Sequence, residues 1–484
     1  MSWLRRMLEG HEADLLALLL AILYGLPALG YPFGSDQALH AYIGAGILEG
    51  QVPYLEGGED IKPVGIYLVH TFAFAVFGDH QWSIRVVELG TVLLIGWLLA
   101  RLVREDGRGW GASVLLMTGF YYTSFDYWHS AQQEVWQAAL LLAAVVIAMR
   151  DPRPGRRALA SGALCGAAFM LKFTAVVPAL GVFLLCWRSA GWSARAALTS
   201  FARFAIAGAA VVAVATLPII VLGAFDAMWE TLWDYLLHYV ADARRVPSWI
   251  EHNGRGYVWI TAAAAGAGWA ASRGDRERAT VGAVLAGMAA LAWASVWVQG
   301  KFFPYHWIVV VPFLAGLIVW AVDLSWQRVR SKVFVAALVV ALGFVLAPSW
   351  TSNSRWSYRA HTGNLVQYVL GRIPRSDYLV PFGRGPVVYG ALERIGLEVR
   401  DRAKPGDTLC VTGFGASPVY QVSGLRCPSR FAATHHVYDE HELAWPEEYE
   451  QDLRQHHPTF ILFPRPCSCG RRNTASRSAG DTTC

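Results

Sequence analysis

Residues 35–67 read SDQALHAYIGAGILEGQVPYLEGGEDIKPVGIY and come directly after the first long apolar run. Ser35 and Asp36 suit a helix N-terminus, where a side-chain oxygen takes a free backbone N–H. Leu39, Tyr42, Ile43, Gly46 and Ile47 then recur at the spacing of one helical face. Gly50 and Pro53 end that pattern. The spacing predicts a short amphipathic helix lying along a membrane surface, with Asp36 at its start. Glu59 and Asp60 follow in Glu59-Asp60-Ile61-Lys62-Pro63, and Pro63 disfavours helix at Lys62. Two carboxylate sites at a membrane edge, one beside a lysine, have the chemistry to bind a metal or a phosphate and to take a proton. The plainer reading makes Asp36 a helix cap and Glu59 and Asp60 solvated loop charges.

The rest of the chain supplies that membrane. Of 484 residues, 55% are hydrophobic and 16% charged, where a soluble domain carries about 25% charge. With its repeated apolar runs this is the composition of a mainly α, polytopic membrane protein. The net charge of +5 is modest, and the arginines sit in short clusters between apolar runs. That is a topology pattern and excludes a nucleic-acid partner. The first run is long and lacks a small-x-small exit, so it reads as a retained span. No Walker A, dinucleotide-type glycine motif or Ser-x-x-Lys is present, which argues against an ATP-driven pump. No long-period repeat of the transporter kind is visible.

Apolar runs near 13–32, 83–102, 111–125, 134–149, 157–171, 174–188, 203–223, 257–271, 279–298, 306–322 and 332–348 predict about eleven spans, several shorter than the usual ~20 residues. Segment 64–78 reads as a re-entrant or juxtamembrane helix. Loops on the amino-terminal side hold eighteen lysines and arginines, from Arg5 to Lys332, against six on the other side. The amino terminus is therefore read as cytoplasmic, and the first loop (33–82) and everything after Pro348 as extracytoplasmic.

The outward side collects the unusual polar residues. Asp126, His129, Gln132, Gln133 and Glu134 fall between two apolar runs. Lys172 interrupts another pair, and a lysine at mid-membrane costs roughly 2.5–3.5 kcal/mol, so it needs an interface, a partner or a wet cavity. Residues 225–256 are rich in aromatics, either an interfacial belt or an acceptor groove. Lys301 and His306 stand in the turn before a late span, as anchors or as phosphate ligands.

After 348 the long apolar runs stop, and 349–465 alternates helix and strand signals, predicting a small α/β domain. Helix is expected near 388–402 and 447–456, and strand at 408–413 and 459–463. Cys410 and Cys427 are candidates for pairing on an oxidising side. Residues 466–484, with Cys467-Ser468-Cys469, read as a disordered tail.

The first loop resembles that of GT-C membrane glycosyltransferases, in particular the protein mannosyltransferase-like group (glycosyltransferase family 39), which includes the lipid A aminoarabinose transferases. The matching residues are Asp36-Gln37, then Leu48-Glu49-Gly50-Gln51-Val52-Pro53-Tyr54, then Asp60-Ile61-Lys62-Pro63-Val64. The match departs at Gln37, where the group has an acid, and at Val64, where it has a second proline. The stretch 299–307 resembles the group's Gly-Arg-Phe-x-x-His-Tyr, with Lys301 in the arginine position and His306 for the histidine. Cys427-Pro428-Ser429-Arg430-Phe431 is similar to a stretch of its soluble domain.

The resemblance implies an inner-membrane glycosyltransferase of GT-C fold (1–348) with a polyprenyl-phosphate sugar donor and a lipid, glycan or protein acceptor. It implies Asp36 as general base, with Asp60 orienting the acceptor or holding Mg²⁺ or Mn²⁺ together with Asp36. Lys172, Lys301 and His306 become donor-phosphate ligands, and Glu59, Lys62 and Tyr54 acceptor or loop support. The rival class is a transporter or flippase of a lipid-linked sugar, but these charges gather on one face rather than at the midplane.

Overall fold

In a computed structural model, residues 11–56, 58–104, 109–241, 262–266, 268–269, 272–328, 352–383, 388–413, 415, 417–438 and 443–463 are described. The runs at 257–271 and 332–348 lie largely or wholly outside them, as do 242–256 and the tail.

The chain begins with α1 (Glu12–Gly25), whose Asp14 accepts the Gly109 and Gly111 amides at 3.1 and 2.9 Å. It thereby caps α5 (Trp110–Ser124), serving two of the free N–H groups at that helix start. Between them run α2 (Ser35–Leu48), α3 (Gly65–Phe77) and α4 (Gln81–Val103). Then come α6 (Gln133–Arg150), α7 (Pro154–Leu171), α8 (Val176–Ser189) and α9 (Ala194–Val221). Among the described residues, five segments are long and apolar enough to cross a membrane: 12–30, α4, α6, α9 and α12 (Arg276–Gln299). Shorter apolar helices are α3, the 173–189 segment and the 311–324 part of α13 (Val311–Arg328). Leucines and valines of α9 stand largely exposed, Val214 at 76%, as expected of a face turned to lipid. The chain is a multi-pass membrane protein built of helices.

Sequence spacing finds α2 but not its surroundings. It does not lie on a surface with one face wet: Ser35, Gln37–Gly44 and Gly46 are all buried. One side packs on α3, and the crossing is close at Gly44, where a Cβ would meet His70 Cβ at 2.7 Å. The other side is covered by residues far along the chain. Tyr42 packs on Tyr420 of α17 (Pro418–Ser423), ring centroids 4.7 Å apart, and its hydroxyl accepts the Cys427 amide at 2.9 Å.

After α9, α10 (Phe225–Trp229) passes through a π-helical turn (Glu230–Tyr235) into α11 (Leu236–Ala241). Beyond α13 follow α14 (Ser352–Val369), α15 (Arg375–Leu379) and α16 (Tyr389–Arg402). Strand β1 (Leu409–Val411) pairs in parallel with β2 (Phe460–Leu462), Cys410 opposite Ile461, and α18 (Trp445–His456) precedes β2. The Cys410 and Cys427 sulfurs are 3.3 Å apart as thiols. Ile61, Tyr235, Phe431, Val437, Trp445 and Tyr449 form an apolar cluster separate from the main core. It joins the first loop, the π-turn and the late segment.

Candidate functional site

The site is built where α2 starts, where 49–64 folds back, and where the 126–134 and 172 connections meet. The loop is held by its own backbone. Tyr54 sits fully buried in left-handed conformation (φ 69°), its amide donating to Gly58 O at 2.9 Å. Its hydroxyl donates to Lys62 O at 2.6 Å, and Tyr67 donates to Asp60 O and Lys62 O at 3.0 and 3.1 Å. Two tyrosines thus satisfy buried carbonyls and fix Asp60 and Lys62 in place. Gly65 then lets α3 rest on the end of α7: a Cβ there would lie 2.3 Å from Met170 O. This contact brings the Lys62 loop beside Lys172.

Asp60 is buried in a basic setting. His40 Nε2 lies 3.0 Å from Oδ2, Lys62 Nζ 3.6 Å from Oδ1, and His436 Nε2 4.0 Å from Oδ1. Burial alone would raise this carboxyl, but Lys62, the His40 hydrogen bond and His436 outweigh it and hold the group well below the usual range. Glu59 has the opposite fate. Both its oxygens are buried without a hydrogen-bond partner among the described residues. Burial, then the Asp60 charge, push it up to about 8. Neighbouring carboxyls are thus driven apart, one ionised and one holding a proton at neutral pH.

Asp36 is less confined. It is only partly buried, and its hydrogen bond is a long one, from Gln132 Nε2 at 3.5 Å. It stands within electrostatic reach of Lys62, Lys172 and Tyr305. Lys172 Nζ is 2.5 Å from Glu134 Oε1 and 5.8 Å from the Tyr305 ring centre. His306 is buried against Phe303 and Tyr305, its Nδ1 without a hydrogen-bond partner among the described residues, and it feels both Lys172 and Lys62. Lys301 joins the group through Tyr239, its ammonium 3.8 Å from that ring centre. The structure therefore gathers Asp36, Asp60, Lys62, Lys172 and His306 around one region, with Lys301 at its side and Tyr54 and Glu59 behind it.

Sequence reasoning missed three parts of this arrangement and noticed a fourth, Glu134, without giving it a role. His40 is one helical turn after Asp36, on the same face, a spacing that could have revealed it. Glu134 is the lysine's buried partner. His436 arrives from the late segment with no local signal at all. Arg85 and Glu88 of α4 form a fully buried pair at 3.3 Å under the 127–131 connection. Arg85 donates to Ser130 Oγ and Tyr127 O, and Glu88 accepts from Tyr121 and the Ala131 amide.

That pair explains Gln37. Its Oε1 accepts the Gly34 amide at 2.5 Å and an Arg85 N–H at 3.3 Å. Its Nε2 donates to Ser130 O and, at 3.1 and 3.3 Å, to Tyr127 O and Trp128 O. An acid in this position has no donor for those carbonyls.

A divalent cation does not suit Asp60. Its two oxygens already face an imidazole and an ammonium, and no group of three or more His, Cys, Asp or Glu is gathered to hold a metal among the described residues.

Below the loop, a cavity of about 610 Å³ is lined by Glu56, Asp226, Glu230, Asp234, Arg430 and Glu448 among others. Arg430 spans it, bonding Glu230 and Glu448 at 2.7 Å each. This includes the front of the aromatic stretch read as a belt or groove.

No known family profile and no characterised protein matches the sequence. Solved structures do match by shape. ArnT from Cupriavidus metallidurans bound to undecaprenyl phosphate superposes with a TM-score of 0.55 at 19% identity, covering 86% of each chain. The chain has the GT-C fold. The same ArnT in its apo state gives 0.52 at 17% identity, over 85% of this chain and 84% of that one. An archaeal oligosaccharyltransferase, AglB from Archaeoglobus fulgidus with an inhibitory peptide and a dolichol-phosphate, gives 0.47 at 11%, over 93% and 69%.

Proposed function

We propose that the chain is a membrane glycosyltransferase that moves one sugar from a polyprenyl-phosphate donor to an extracytoplasmic acceptor. The observation that carries the reading is a partly buried carboxylate, Asp36, set among partly buried cations at Lys62 and Lys172. The ArnT structure that shares the fold is bound to undecaprenyl phosphate, which supports a donor of that class here.

Asp36 takes the proton of the acceptor hydroxyl. The acceptor oxygen bonds to the anomeric carbon as the bond from that carbon to the phosphate oxygen breaks. The electron pair leaves on the phosphate, where Lys172, Lys301 and His306 stabilise the growing charge. The Lys172–Glu134 pair sets the lysine's direction before donor arrives. Asp60, held by His40 and Lys62, orients the acceptor side, and the 610 Å³ cavity below the loop gives the acceptor its approach. With the loop on the outer face the enzyme sits in the inner membrane, amino terminus in the cytoplasm, and 349–465 forms an extracytoplasmic α/β domain.

Asp36→Asn tests this. In membranes supplied with radiolabelled polyprenyl-phosphate sugars, the variant is expected to bind donor but lose transfer by at least 100-fold, roughly the lower end of what general-base catalysis contributes. Full transfer by the variant would remove Asp36 as base. No transfer by either protein, with lipid-linked sugar still crossing vesicle bilayers, would replace the enzyme by a transporter.

A further inference from the structure

A second cavity, of about 260 Å³, lies at the other end of the helices from Asp36. Helix α6 starts at the site, with Glu134 on Lys172, and ends at Arg150 after 18 residues, about 27 Å away. The cavity sits between the end of α6, the first turn of α7, the end of α8 and the start of α12. Arg150, Arg157 and Arg188 line it against a single carboxylate, Glu277, which is 69% exposed and 3.8 Å from Arg150. Met149, Leu185 and Val281 supply apolar wall, and Leu184 of α8 is 46% exposed.

Arg150 and Arg188 have an ordinary reason to be here, since cations in the last turn complement a helix C-terminus. Arg157 lies in the first turn of α7, where a cation opposes that helix's dipole, and it donates to Asp151 O at the C-terminal end of α6. Among the described residues Arg188 donates to a hydroxyl, Thr280 Oγ1, at 3.5 Å. Three guanidiniums around one pocket at a membrane edge, with an apolar side wall, match a phosphate that carries acyl chains.

We propose that this cavity binds the headgroup phosphate of an anionic phospholipid. The arginines hold the phosphate oxygens, and the acyl chains run down the Leu185 side. The loop charge counts put this face on the cytoplasmic side, so the lipid belongs to that leaflet.

The test uses the full chain in detergent, with native mass spectrometry and thermal melting. The probes are phosphatidylglycerol, phosphatidylcholine and inorganic phosphate. Phosphatidylglycerol is expected to be retained and to raise the melting temperature above the effect of phosphatidylcholine. Arg157→Gln and Arg188→Gln should each weaken its binding about fivefold, the worth of one cation near a lipid surface. Glu277→Gln should tighten it, an outcome that misfolding cannot imitate. Equal binding of the two lipids, or binding unchanged in both arginine variants, would overturn the site. Inorganic phosphate stabilising as well as phosphatidylglycerol would overturn its assignment to a lipid.

Discussion

Gln37→Glu asks whether the amide is a defect in an otherwise acidic motif or a required part. The side chain is fully buried. Its Nε2 faces three carbonyl oxygens, those of Ser130, Tyr127 and Trp128. A glutamate of the same shape turns that donor into an acceptor. The two Nε2 hydrogens are shared among those carbonyls, so losing them costs about 1 kcal/mol each, and leaving the facing groups unpaired adds about 1–3 kcal/mol. Arg85, 3.3 Å from Oε1, returns about 1–2 kcal/mol through a charged hydrogen bond. The net loss is about 1–4 kcal/mol.

The sign with pH follows. In the Gln37→Glu variant a protonated carboxyl can donate to one carbonyl while the ionised form cannot, so folding raises its pKa above the unfolded value. The folded state then holds the extra proton, and stability is retained at low pH and lost as pH rises through the folded pKa. Melting curves in detergent should therefore show a gap from wild type that is larger at pH 8 than at pH 5.5. Gln37→Ala should show a gap independent of pH. Transfer should fall as well, because the 127–131 connection leads into Gln132, which touches Asp36. A Gln37→Glu protein as stable as wild type at pH 8, or faster in transfer, would refute the account.

Glu59→Gln is expected to stabilise the protein increasingly between pH 5 and 8, by up to about 5 kcal/mol, because the folded state keeps this carboxyl protonated up to about 8 while the unfolded chain ionises it from about 4.5; a melting difference flat with pH would count against this. Lys172→Met should cost about 3–5 kcal/mol by stranding Glu134, and Lys172→Met with Glu134→Gln should recover stability in melting curves without recovering transfer. Recovery of both would deny the lysine its phosphate role. Gly44→Ala should cost about 1–3 kcal/mol by prising α2 from α3, visible as a lower melting temperature; no change would mean the crossing adjusts. The linkage formed should have inverted anomeric configuration by NMR, since a single displacement inverts the carbon; retention would require a covalent intermediate.

Much of this was legible locally. Apolar period found α2, the capping residues put Asp36 at its start, and Pro63 set the break before α3. Lys172 announced itself as a cation between apolar runs. What the pattern could not show was the second covering of α2. One helical face of apolar residues looks the same whether the opposite face meets water or residues 418–431. A small residue such as Gly44 gives the pattern no signal, yet it is where α3 comes close to α2. Arg85 and Glu88 were invisible for a related reason: a buried pair three residues apart inside a span is only two charges until their partners at 121 and 127–131 are known.

His436 marks the limit of local reading and carries a consequence for the chemistry. It lies far along the chain from Asp36, yet it stands 4.0 Å from Asp60 while its Nδ1 meets the Tyr235 hydroxyl at 2.7 Å. Arg426 bonds Tyr42 O and Glu49, and Arg430 ties Glu230 to Glu448. The late segment is thus fastened to both the first loop and the π-turn, by ion pairs at its edges and by the apolar cluster around Trp445 at its centre. Partly exposed pairs of this kind contribute little each; the buried aromatic cluster supplies the larger share. Asp60 is held low chiefly by Lys62 and His40, with His436 adding a smaller share, and Arg430 of the same late segment opposes the rise of Glu59. The late segment therefore acts on the site through charge as well as cover.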